Sequence, residues 1–304
     1  MNKYKQLTAG ALALVLMGLT AAPVNAQLPQ QLRDYPLAPV QSSGDLVAPF
    51  FDGWIANADG SVTMVFGFMN RNTEENVDIP LGPNNYIEPA QFDGVQPTHF
   101  PIYAPRGLRE RGAFAVTVPA NMAGTEIVWT LAHAGHSYSL PGRATSTAYE
   151  MSSAPRALGS LNPGIRFTQG GPEGSGREGI MGPRITASVG TPVTLSAFVR
   201  DRGERDEYEV PSLFQVGTEW IMHQGPAMID FENPIMTGQQ REEAAGEGAM
   251  ISSDDWTETT TQATFSAPGD YVIRLRVDNF AAPDTSFGNQ CCWSNGYLPV
   301  TVTP

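Results

Sequence analysis

Short runs in which apolar and polar residues alternate, each bounded by Gly, Pro, Asn or Asp, fill most of this chain, and no long stretch keeps a helical period. A period of two is what a half-buried strand requires, because successive side chains point to opposite faces of a sheet. The clearest run lies at residues 271–278. Tyr271, Ile273, Leu275 and Val277 fall on one face, and Arg274, Arg276 and Asp278 on the other. The pattern predicts that the first set is buried and the charges face water, with Pro268-Gly269 supplying the turn before the strand. Leu298, Val300 and Val302 alternate in a final strand. Val193, Leu195, Ala197 and Val199 alternate with Thr194, Ser196 and Phe198 in an earlier one. Residues 184–189 suit a first strand, and Trp220 sits in a third.

The first half reads the same way. Asp59-Gly60 separates two apolar runs, from Leu46 and from Ser61, and Gly accepts the positive φ that a tight hairpin needs. Further strands are expected at residues 76–79, 113–118, 126–132 and 145–151, with irregular backbone over 80–89. The predicted class is all-β, built as two tandem β-sandwiches over residues 45–152 and 184–304. A Gly/Pro-rich stretch at 153–183 reads as a linker. Its Gly170-to-Gly176 segment lacks the Lys and Ser/Thr that a phosphate-cradling loop carries.

The extreme N-terminus departs from this pattern. Lys3 and Lys5 precede an apolar run from Ala11 to Ala22, and Val24-Asn25-Ala26 offers a small-x-small cleavage site. Residues 1–26 are expected to be a signal peptide that directs the chain to the periplasm or the extracellular space. Residues 27–44 follow as an extended lead-in. No later stretch is apolar for long enough to span a membrane as a helix.

Charge narrows the function classes. The formal net charge is −13, and both lysines lie in the expected signal, so its removal takes the chain to −15. A mature chain without lysine has no Schiff-base or P-loop lysine chemistry. Its acidity also excludes nucleic acid as a natural partner, since phosphate binding needs a basic face.

The run Phe265-Ser-Ala-Pro-Gly-Asp-Tyr-Val-Ile-Arg-Leu-Arg-Val-Asp-Asn279 resembles the late-strand signature of PKD-type and related immunoglobulin-like domains. The resemblance covers about residues 184–304. It implies that Trp220 is the buried third-strand aromatic and Tyr271 the corner tyrosine of such sandwiches. The usual inter-sheet disulfide is replaced by Leu195 facing Ile273 or Leu275. The acidic glycine motif of PKD domains is not evident after Trp220, so immunoglobulin-like is the safer description. The whole layout also resembles a group of exported bacterial proteins. Segments that suggest it are Phe66-Gly-Phe-Met-Asn-Arg-Asn72, Gly82-Pro-Asn-Asn85, Gln96-Pro-Thr-His-Phe100 and Cys291-Cys-Trp-Ser-Asn-Gly-Tyr297. That likeness implies no activity.

Few residues point to chemistry. Cys291 and Cys292 are adjacent, about 3.8 Å apart at Cα and below the usual disulfide span of roughly 4.4–6.8 Å. Three readings stay open: a strained vicinal disulfide, a buried reduced pair, or bonds to a partner chain. A ring beside Trp293 would form a flat platform for a sugar or similar ligand. Asp201, Glu204 and Asp206 lie in a loop expected at the same pole, near Asp278, and are hard oxygen donors of the kind Ca²⁺ takes. Arg200, Arg202 and Arg205 compete for them, so a self-paired, solvated loop is the plainer expectation. His133 and His136 flank an expected hairpin tip where two imidazoles could meet a metal, but no third ligand can be named. His99 reads as a hydrogen-bonded histidine in a loop.

No Gly-x-Ser-x-Gly nucleophile motif is present. The expectation is therefore a non-enzymatic exported protein for binding, adhesion or envelope assembly, with an unknown protein or glycan partner. A hydrolase using acidic residues of the first sandwich is the alternative.

Overall fold

A computed structural model describes residues 40–102, 109–151, 159–205, 213–246, 251–252, 254–281 and 292–304. The expected signal peptide and most of the expected lead-in lie outside these residues.

The first half contributes nine strands: β1 (Val47–Ala56), β2 (Val62–Asn70), β3 (Val77–Asp78), β4 (Asn85–Glu88), β5 (His99–Phe100), β6 (Glu110–Val118), β7 (Ile127–His133), β8 (His136–Gly142) and β9 (Glu150–Met151). One sheet has the order β6-β2-β1-β9, and β4-β7-β8 forms a second; β3 and β5 pair separately. The β1–β2 hairpin turns at Asp59-Gly60 as the sequence predicts, with Gly60 at φ +81°. Phe66, Phe114 and Trp129 fill the space within this half. Phe66 stacks on Phe114 at 5.2 Å and Trp129 meets Phe114 edge-on at 4.9 Å.

Three local readings change here. Residues 85–88 form β4 instead of irregular backbone. Asn85 is fully buried, accepts from the Trp129 indole at 3.0 Å and donates to the carbonyls of Ile79 and Pro97. Residues 145–151 give only a 3₁₀ turn (Thr147–Tyr149) and the two-residue β9. And β8 appears where the sequence offered little apolar alternation, as an edge strand whose residues are exposed or half-buried except Gly142.

The second half adds β10 (Gly164–Arg166), β11 (Ile180–Met181), β12 (Ile185–Ser188), β13 (Val193–Arg200), β14 (Gly217–Gln224), β15 (Ile229–Glu232), β16 (Ile235–Met236), β17 (Thr257–Phe265), β18 (Gly269–Asp278) and β19 (Trp293–Thr303). One sheet runs β10-β13-β17-β15. The other runs β11-β19-β18-β14-β16, with β12 also pairing β19 in parallel. This is the immunoglobulin arrangement: an A-B-E-D sheet faces a G-F-C sheet, and the first strand passes from one sheet to the other. Trp220 on β14 and Tyr271 on β18 are buried in the shared core with Leu195 and Ile273. The Tyr271 hydroxyl donates to the carbonyl of Ala267 at 2.8 Å, which is the tyrosine corner that the resemblance implies.

Two strands, β10 and β11, lie within residues 153–183. Ile165 is fully buried in the second core and Ile180 packs against it, so this stretch carries sheet as well as loop. A single helix, α1 (Gly238–Ala245), occurs among the described residues. Thr237 and Gln240 cap it reciprocally, a Thr-x-x-Gln signature that is present in the sequence.

The chain from Gln41 to Pro304 forms one compact unit containing both cores. No helix among the described residues is long and apolar enough to cross a membrane.

Candidate functional site

The outer face of β14, β18 and β19 carries the residues that the alternation assigned to water. It is covered instead. Arg274 is 2% exposed, and its guanidinium pairs with Glu110 of β6 and donates to the carbonyl of Ala113 at 3.0 Å. Arg276 reaches Glu110 at 3.5 Å and Glu219 at 2.7 Å. Burial works against its charge, yet Glu110, Glu219 and Asp278 outweigh that cost and raise its pKa above the ordinary arginine value. Asn295 on β19 donates to the Gly112 carbonyl at 2.9 Å. The charged face is largely covered because β6 and residues 94–98 lie on it.

Main-chain groups close the same seam. The Thr98 amide donates to the His223 carbonyl at 2.8 Å, and the Gln224 side-chain amide donates to the carbonyls of Gly94 and Gln96 at 2.9 and 2.7 Å. His223 Nε2 lies 2.8 Å from the Val95 carbonyl, which only accepts, so this nitrogen carries the proton. Burial, and then the Arg274 charge, hold the His223 pKa down to about 3. Burial pushes the Tyr297 phenol up to about 12. Both are neutral near pH 7. Beside them a pocket of about 150 Å³ opens, walled by Phe114, Ala115, Val272 and Tyr297.

The residues singled out in the sequence lie elsewhere and are engaged within the fold. Asp201 is 4% exposed and Arg205 fully buried; they pair at 2.6 Å, and Asp201 also accepts from Asn279 at 3.2 Å and from the Phe214 amide at 3.0 Å. Asp201 and Arg205 are paired with each other in the interior instead of in water, while Arg200 and Arg202 reach Glu173. The Asp201 carboxylate oxygens are taken up by Arg205, Asn279 and the Phe214 amide. Asp278 turns to Arg276 at 3.9 Å and does not join Asp201. Glu204 is exposed, and Asp206 lies outside the described residues. Among the described residues, no three His, Cys, Asp or Glu side chains gather to hold a metal.

Trp293 does not stand at a loop tip. It opens β19 in register with Asp278 and is 4% exposed, with the Arg177 guanidinium 4.1 Å above its ring. Gly112 also packs against the indole, so closely that a Cβ there would come within 2.7 Å of Cζ2. The indole therefore meets protein and offers no open face to a sugar. Cys292 beside it is buried and disulfide-bonded; Cys291 lies outside the described residues. His133 and His136 do flank a two-residue hairpin turn, with Ala134 at φ +50° and Gly135 at φ +77°.

The buried carboxylates of the first half, and two more accessible ones, are also partnered. Asp45 pairs with Arg71 at 3.1 Å, Asp78 with His99 at 2.7 Å, and Glu126 with Arg143. Asp52 pairs with Arg109 and accepts from the Gly112 amide at 2.7 Å, and burial raises its pKa in spite of these contacts. Sequence reasoning missed the seam as a site. Its one local signal was an arginine pair on a strand face in a chain where Arg alone carries positive charge.

No family model and no curated protein matches the chain. Among solved structures, it is similar to domains 4 and 5 of the S-layer protein SbsC, at 9% identity and a TM-score of 0.25 over 74% of this chain and 79% of that one. The D00–D0 domains of intimin align at 9% identity and a TM-score of 0.26, over 85% and 100% of the two chains. The adhesin InvE of Yersinia pseudotuberculosis aligns at 7% identity and 0.21, over 85% and 59%. Similarity at this level adds no argument, and the fold stands on the strand order given above.

Proposed function

We propose that the protein is an exported, non-enzymatic β-sandwich protein that binds a protein or glycan partner at the cell envelope or outside the cell. The observation that carries this reading is the seam. Glu110 is committed to Arg274 and Arg276 across the seam, and His223, the base that lines the 150 Å³ pocket, to the Val95 carbonyl, which leaves exposed Glu178 as the acidic group among the pocket's described lining residues. General acid–base work needs a group free to give or take a proton at the substrate. With His223 locked, Glu178 has no free base and no second carboxylate beside it among the described lining residues, which suits holding a ligand better than transforming it. The hydrolase alternative has no comparable support, because the first half's buried carboxylates are spent on arginines and main-chain amides.

Export is part of the proposal, resting on residues 1–26, and so is a vicinal ring joining Cys292 to Cys291. The test is retention. Beads coated with the purified protein are incubated with envelope protein fractions and cell-wall polysaccharide of the producing cell, and material that survives washing is measured. Saturable retention of one fraction is expected. Retention equal to that of albumin-coated beads on every fraction would overturn the binding role, and turnover of a polysaccharide fraction would favour the enzyme reading.

A further inference from the structure

The pocket's lining says what class of group it takes. Phe114 and Tyr297 contribute aromatic walls, Val272 and Ala115 aliphatic ones, and Met181 a polarisable thioether that favours aromatic partners. Met181 and Val95, which also line it, are 63% and 45% exposed, so apolar surface continues from the pocket out to solvent. An apolar cavity of about 150 Å³ accommodates a benzene-sized ring; a fused or sugar-sized ligand needs more room.

Charge narrows the class further. Among the described lining residues the ionised group is Glu178, which is exposed. His223 and Tyr297 are neutral, and no arginine lines the pocket. A carboxylate or phosphate entering here would meet one negative charge in the lining, and the nearby Arg274 charge is offset by its pair with Glu110.

We propose that this pocket is a binding site for a single unfused aromatic ring that is neutral or positively charged, whether free or presented by a partner. It deepens the binding reading above, and the two fail separately, as the test shows.

The probes are benzyl alcohol, benzylamine and benzoate at pH 7, with capped Gly-Phe-Gly as a presented ring. The readout is the methyl signal of Met181 in protein labelled at methionine methyls, assigned through Met181→Ala. A saturable ring-current shift is expected with benzyl alcohol and benzylamine, with benzoate weaker by roughly two- to fivefold, the scale of one exposed charge pair. Val272→Trp should fill the pocket and abolish the shifts. Met181→Arg, at an exposed position and read from the Ala115 methyl in alanine-labelled protein because the methionine reporter is gone, should reverse the order and favour benzoate. A shift with the peptide assigns the ring to a macromolecular partner; shifts with the free rings alone assign it to a small molecule. No saturable shift with any probe, or equal binding by folded Val272→Trp, overturns the proposal. Bead retention that persists in Val272→Trp, together with no saturable shift from any probe on the parent, would sink this site and leave the binding role standing. Ring binding without any retention would do the reverse.

Discussion

Glu110, at the start of β6, and Arg274, in the middle of β18, form an ion pair across the seam with side chains 2% and 3% exposed. Each charge is far from water, so the worth of the pair depends on both members being present. Removing Glu110 leaves Arg274 buried without its carboxylate, which costs about 3–5 kcal/mol, whereas removing Arg274 leaves Glu110 its 3.5 Å contact with Arg276. Glu110→Ala should therefore lose that much by guanidinium denaturation, and Arg274→Ala less. Joint replacement, Glu110→Leu with Arg274→Met, should recover most of the loss. Equal losses in the single and double variants would mean that packing, not charge, holds the seam.

The hydrogen bond from Tyr271 to the Ala267 carbonyl pins the turn before β18. Tyr271→Phe keeps the ring and its 4.8 Å contact with Phe265 and deletes the hydroxyl alone. A neutral hydrogen bond of this kind contributes about 1 kcal/mol. The expected result is a lower denaturation midpoint with an unchanged slope. A variant as stable as the parent would show that the corner is ornamental.

How far this was legible depends on what each pattern encodes. Tyr271, Ile273, Leu275 and Val277 are buried as predicted, because a period of two states which side chains share a face. The opposite face was misread for the same reason. Alternation marks Arg274 as facing away from its own core, but says nothing of a second sandwich lying there, and a charged residue outside a core reads as solvated by default. Trp293 was read as a ligand platform and Asp201 as part of a solvated loop, and each is buried: Trp293 by Gly112 and Arg177 from distant segments, Asp201 by Arg205 of its own loop and by Asn279 from just beyond β18. Edge strand β8 escaped because few of its side chains are buried, so its sequence carries little apolar signal.

Gly112 is required twice over. Its φ of +56° lies in the left-handed region, and the indole of Trp293 occupies the space where a Cβ would go. Gly112→Ala should therefore combine left-handed strain of about 1–2 kcal/mol with an overpacking cost of about 1–3 kcal/mol. The drop should be partly relieved when Trp293→Phe is added, since a smaller ring vacates the clash. If the pair of substitutions is strictly additive in denaturant titrations, the contact is not the cause.

The neutral His223 makes stability depend on pH in a definite direction. Its folded pKa is about 3 against an ordinary value of 6.5, so the unfolded chain binds the proton first as the solution is acidified. Above pH 6.5 both states are neutral and the contribution is intact. Between 6.5 and about 3 it is lost progressively, by up to about 1.4 kcal/mol per pH unit. Below about 3 the folded state also takes up the proton and the loss levels off. Carboxylates titrate in the lower part of this window, so the informative quantity is the difference between the parent and His223→Gln, whose amide can still donate to the Val95 carbonyl. That difference should shrink as the pH falls from 6.5 towards 4, because only the parent is penalised by the histidine proton. A difference that stays flat across the interval would mean that the imidazole opens to water and titrates normally, and that the seam is looser than its hydrogen bonds describe.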